Sequence, residues 1–199
     1  MSVTNLTELD VEGHDGSAAG LKLGGTLITS TAAEINIMDG VTASAAELNQ
    51  LDVSVSNVVD ATAATLTVTA ALHAGKIVTL NRAAGVTVTL PAATATGNIY
   101  RFVIGTAASS NANIIETSAT SEHMTGSLRG VDDDVEGATG YQWNAETSDD
   151  TITMDGTATG GKVGDTITII DYEATNFTVD GHLTQSGASE ATPFSAAVS

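Results

Sequence analysis

Cysteine is absent from the 199-residue chain, which excludes disulfides, thiolate metal sites and cysteine nucleophiles. Cations are scarce. Lys and Arg total 6 against 24 Asp and Glu, for a formal net charge of −18. Neutralising phosphates takes clustered cations, whereas Lys22, Lys76, Arg82, Arg101, Arg129 and Lys162 are scattered along the chain. Neither nucleic acid nor an anionic membrane is therefore expected as a partner. Aromatic residues make up only 4%. Ala, Thr, Val, Gly and Ser carry most of the sequence, and such side chains bury little area each, so the core they build is thin. A partner subunit covering one face adds much to such a chain, and self-association is expected. No apolar run approaches the 18 residues of a membrane-spanning helix. Met1–Asp10 also lacks the basic-then-apolar pattern of a secretory leader, so synthesis in a cytoplasm is expected.

What is present begins with a polar, Gly-rich stretch over residues 1–20, which reads as an extended arm. A short repeat follows. Thr31-Ala-Ala-Glu34-Ile35-Asn36 recurs 13 residues later as Ser44-Ala-Ala-Glu47-Leu48-Asn49, and both copies continue to an apolar residue and Asp, at Met38-Asp39 and Leu51-Asp52. Each copy is a capping box, in which the Thr or Ser hydroxyl accepts from a backbone N–H one turn on and the Glu reaches back to the cap. The spacing predicts two short helices, over 32–38 and 45–51. Isolated helices below about 12–15 residues are marginal in water. Ile35 with Met38, and Leu48 with Leu51, lie three apart on a shared face, so these four residues are the candidate oligomer interface.

From Thr65 onward the period changes to two. Leu66, Val68 and Ala70 alternate with Thr, as do Val86, Val88 and Leu90, and Ile77–Leu80 lies between them. These are strand patterns with one apolar and one hydroxyl-bearing face. Residues 81–85 read as a hairpin connection, and Pro91 closes the run. Further strands are expected over 98–106, 113–117, 142–144, 151–154, 166–171 and 176–179, with Asp180-Gly181 as a turn before a returning 182–184. The organisation predicted is an arm with two capped helices over 1–62 and an antiparallel β-sandwich or barrel over 63–199, a mainly β chain.

The search for chemistry finds no catalytic constellation. His14, His73, His123 and His182 have no metal-ligand spacing, no serine sits in a nucleophile elbow, and the glycine pairs lack phosphate-loop context. Trp143 reads as a core residue. Asp132, Asp133 and Asp134, with Glu136 beyond them, offer oxygen ligands of the type calcium takes. They lack the EF-hand pattern, and consecutive acids in a turn are usually solvated, so no metal and no cofactor is expected.

The run Gly24–Thr42, followed by Ala43–Asp52, resembles a repeat of tailed-phage virion proteins, found in tail fibres and in capsid-associated fibres or decoration proteins. Gly75–Arg82, Val86–Pro91 and Tyr100–Val103 are similar to β-domains of phage virion proteins. The resemblance implies a non-enzymatic structural protein. With only two repeat copies and 199 residues, a capsid decoration (cement) protein fits better than a long fibre. It implies a homotrimer on the outer surface of the phage head, bound to the major capsid protein and stabilising the shell. The alternative it leaves is a short tail or head fibre, an adhesin that binds a host-surface glycan.

Overall fold

The computed structural model describes residues 22–37, 39, 57–134, 140–187 and 191–198. The chain divides into two compact units, Met1–Ser54 and Val55–Ser199.

In the first unit β1 (Lys22–Leu23) and β2 (Thr26–Leu27) form a minimal antiparallel hairpin. Its two-residue turn is Gly24-Gly25, at φ 57° and 85°. Both central positions of a type I′ turn need positive φ, which glycine adopts without steric cost. Helix α1 (Ala32–Ile37) follows. Its capping box is formed: Glu34 N–H donates to Thr31 Oγ1 at 3.3 Å, and Thr31 N–H donates to Glu34 Oε2 at 2.8 Å. The expected arm over 1–20 and the second helix over 45–51 lie outside the described residues.

The second unit is mainly β, as expected, but its pairing is mixed rather than antiparallel throughout. Strands β3 (Val58–Ala61), β5 (Ile77–Asn81) and β7 (Ile99–Thr106) lie side by side and parallel. So do β4 (Thr65–Thr67), β6 (Thr87–Thr89) and β8 (Asn113–Glu116) in a second sheet. The chain thus alternates between sheets for three passes, forming a parallel two-sheet coil. Parallel neighbours need a crossover, commonly a helix; here the crossover is a strand of the opposite sheet. The short α2 (Ala70–His73) sits between β4 and β5. Residues 81–85 do form a tight turn, with Gly85 N–H donating to Arg82 O at 2.9 Å. It carries the chain from one sheet to the other and is not the hairpin expected. Inward alternation on both sides was read correctly, yet a period of two says which face is buried and nothing about which strand lies alongside.

The remaining strands close both sheets. These are β9 (His123–Asp132), β10 (Gly140–Asn144), β11 (Thr151–Met154), β12 (Thr166–Glu173), β13 (Asn176–Gln185) and β14 (Phe194–Ser195). The seven-stranded sheet runs β10-β9-β13-β12-β7-β5-β3 and the five-stranded sheet β14-β11-β8-β6-β4. Between them lies one hydrophobic core. Columns of inward residues stack across the coil, among them Ala61-Leu80-Ile104 and Leu66-Val88-Ile115. Tyr100, Phe102 and Phe177 supply the bulk. Trp143 packs partly buried against the core and stacks on Tyr141, with ring centroids 5.8 Å apart. The domain boundary expected after residue 62 falls just C-terminal to β3, which belongs to the seven-stranded sheet.

Part of the acidity is structural. Asp171 accepts from the N–H groups of Thr94, Ala95 and Thr96 and from the Thr96 hydroxyl. Asp165 accepts from the N–H groups of Gly161, Lys162 and Thr184. Asp150 accepts from those of Ala197 and Val198, and Glu122 from those of Ala93 and Ser118. All four carboxylates are buried, and each fastens loop or tail backbone to the sheets.

Candidate functional site

Strands β9 and β13 run parallel in register from His123↔Asn176 to Asp132↔Gln185. At their shared end the chain leaves β9 through Asp132, Asp133 and Asp134, whose carboxylate ligand atoms all lie within 4.8 Å of one another. Asp132 points inward and is buried; the other two are exposed. Asp132 Oδ1 accepts from Asp134 N–H at 2.8 Å, and Asp134 Oδ2 accepts from Gly187 N–H. Lys162 Nζ stands 3.6 Å from Asp133 Oδ2. Asp133 N–H donates to Gln185 O at 3.0 Å, tying the acidic turn to the end of β13. The sequence grouped the three aspartates correctly. It gave no sign of Gln185, which reaches them only through strand pairing across 53 positions.

Of the four residues expected at an oligomer interface, Ile35 is described, and it is 46% exposed on α1. Met38, Leu48 and Leu51 lie outside the described residues. Glu34, beside Ile35, has its pKa held below the ordinary carboxylate value by the Thr31 N–H and hydroxyl hydrogen bonds, as a formed capping box requires.

On the outer face of the seven-stranded sheet, Arg129 of β9, Thr166 and Thr168 of β12, and Asp180, Gly181 and His182 of β13 line a shallow, open concavity. Arg129 and Asp180 form an ion pair across it, with side chains 61% and 66% exposed. Exposed pairs contribute about 0–1 kcal/mol, so Arg129→Ala is expected to leave the urea midpoint nearly unchanged. The histidines do not converge. His73 is buried on α2, where its Nδ1 accepts from Thr69 N–H at 3.0 Å, while His123 and His182 occupy β9 and β13. Among the described residues, the three aspartates are the one grouping with metal-ligand geometry.

No family model, curated protein or solved structure matches the chain.

Proposed function

We propose that this chain is a capsid decoration protein: a non-enzymatic homotrimer that binds the major capsid protein on the outside of a phage head and stabilises the shell. The observation that carries the reading is α1. It is a capped helix of six residues that presents Ile35 largely to solvent. A helix of that length has little stability of its own, and an exposed β-branched apolar side chain on it gains from cover by another surface. The tandem repeat that builds α1 is the segment that resembles virion proteins. The second unit, a compact β unit with carboxylate-anchored loops, suits a component that has to endure rather than turn over. On a head, many copies each contribute a small interface energy, and multivalency makes the sum large.

The test uses the purified chain and the particle. Native mass measurement is expected to give a trimer, and Ile35→Asp combined with Leu48→Asp is expected to reduce it to monomers with the β unit still folded. Heads lacking the protein are expected to open at lower temperature, and added wild-type chain to restore them. A trimer that survives the double substitution, or heads indifferent to the protein, would sink the reading.

The alternative, an adhesin that binds a host glycan, draws on the polar concavity around Arg129, Asp180 and His182, whose donors and acceptors suit sugar hydroxyls. It predicts that Arg129→Ala with Asp180→Ala abolishes adsorption while leaving head stability unchanged.

A further inference from the structure

We infer that Asp132, Asp133, Asp134 and the side-chain carbonyl of Gln185 form a binding site for a hard divalent cation, of the size and ligand preference of calcium. The inference rests on Gln185 more than on the aspartates. Gln185 is fully buried, and its Nε2 donates to Ala191 O at 2.9 Å. That bond fixes the amide orientation, because a flipped amide would set two carbonyl oxygens against each other. Oε1 is thereby left on the other arm of the amide, buried and with no hydrogen-bond partner among the described residues.

A buried acceptor without a donor is costly, and native structures nearly always satisfy one. The strand partner of Gln185 is Asp132, on the same inward face. Neighbouring strands lie about 4.8 Å apart, so the two side chains leave the sheet side by side. The strand partner of Gln185 thus brings a second buried acceptor, the Asp132 carboxylate, to the same face. Two acceptors side by side in a protein interior call for something positive between them.

The rest of the cluster fits an ion. Asp132 and Asp134 each commit one carboxylate oxygen to a backbone N–H, and Asp133 one to Lys162. Among the described residues, the second oxygen of each has no hydrogen-bond partner and is open to coordination. Calcium takes oxygen ligands at about 2.3–2.6 Å in flexible geometry, so ligands on opposite sides of it lie about 5 Å apart. The 4.8 Å that encloses the three carboxylate ligand atoms matches that span. Magnesium holds a tighter octahedron and keeps its waters, so calcium is the better fit.

The experiment titrates calcium chloride into the chelator-stripped full chain by calorimetry, with magnesium chloride in parallel and thermal unfolding as a second readout. One saturable calcium site per chain is expected, with at least tenfold weaker magnesium binding and a higher unfolding midpoint in calcium. Asp132→Asn is expected to weaken calcium at least tenfold, and Gln185→Met, which removes the orphaned carbonyl while keeping the side chain's length, to weaken it as well. Asp133→Asn alters an exposed residue and serves as a second loss variant if Asp132→Asn does not fold. Weak, unsaturable binding, or binding indifferent to these substitutions, would overturn the site. The measurement is made on the isolated chain, so its outcome is independent of whether the protein binds a phage head.

Discussion

Gly181→Ala is expected to lower the stability of the β unit by about 3 kcal/mol, near the upper end for overpacking of a well-filled core. Gly181 lies in β13 between β12 and β9, paired with Ile167 on one side and Leu128 on the other. A Cβ there would stand 2.4 Å from the carbonyl oxygen of Thr166, 2.9 Å from Leu128 Cδ2 and 3.1 Å from Ile167 Cα. The side chain of Leu128 can rotate away, but the backbone of β12 cannot move without disturbing its pairing to β7 as well. At about 2–4 °C per kcal/mol for a domain of this size, the melting midpoint is expected to fall by about 6–12 °C. Urea unfolding should show a lower midpoint at unchanged slope, the signature of a stability change alone. Gly140→Ala is the control. A Cβ there meets nothing closer than 4.0 Å, so its effect is expected to stay within about 0.5 kcal/mol. Equal effects of the two substitutions would contradict the packing described at β12–β13.

The same glycine shows what was legible in the sequence and what was not. Asp180-Gly181 reads as a turn because Gly and Asp dominate turns, yet β13 passes straight through it. There the glycine is required by a close approach of backbones and not by a bend. Strand β9 was missed for a related reason. Its alternate positions run Met124, Gly126, Leu128, Gly130, and the glycines erase the apolar alternation that would have flagged it. At Gly126 and Gly130 an added Cβ would lie 2.2 Å from the carbonyl oxygens of Val179 and Leu183, and Gly126 also has a positive φ of 110°.

Strands such as β5, β7 and β12 were legible because large apolar residues fill every second position: Val78 and Leu80, Tyr100, Phe102 and Ile104, Ile167 and Ile169. The capping box at Thr31 was legible because its bonds span three residues. Partner choice, by contrast, is set by long-range pairing. The parallel coil and the meeting of Asp132 with Gln185 are both of that kind. The acidic turn was visible as a cluster of charge, but the feature that makes it a candidate site is a neutral amide on a distant strand.

The protein is expected to lose stability in acid as its depressed carboxylates are protonated, and Asp171→Ala is expected to remove part of that response. Burial raises the pKa of Asp171, but the hydrogen bonds from Thr96, Ala95 and Thr94 outweigh it and hold the carboxyl below its ordinary value. The balance is the same at Asp150, where burial is opposed by Ala197, Thr151, Val198 and the His123 charge, and at Asp155, where it is opposed by the amides and hydroxyls of Thr159 and Thr157. A group with a folded pKa below the unfolded value of about 3.9 stabilises the fold above that value. The contribution is lost as pH falls through the folded pKa. All three therefore act in one direction: the urea midpoint is expected to hold from neutral pH down to about 5 and to fall steeply below about 4.

Asp171→Ala removes four hydrogen bonds to a charged acceptor, each contributing about 1.5–3 kcal/mol. The loop over 94–96 is exposed, and water replaces much of what is lost, so the expected cost at pH 7 is about 2–4 kcal/mol, shrinking as pH drops toward 3. Salt separates this mechanism from general charge repulsion. With a net charge of −18, raising ionic strength at pH 7 is expected to stabilise the fold by screening. The acid transition is set by protonation of carboxylates bonded at short range to backbone amides, so it is expected to persist in high salt. A midpoint flat from pH 7 to 2.5, or an Asp171→Ala variant as stable as the wild type at neutral pH, would show that these buried carboxylates do not hold the loops in place.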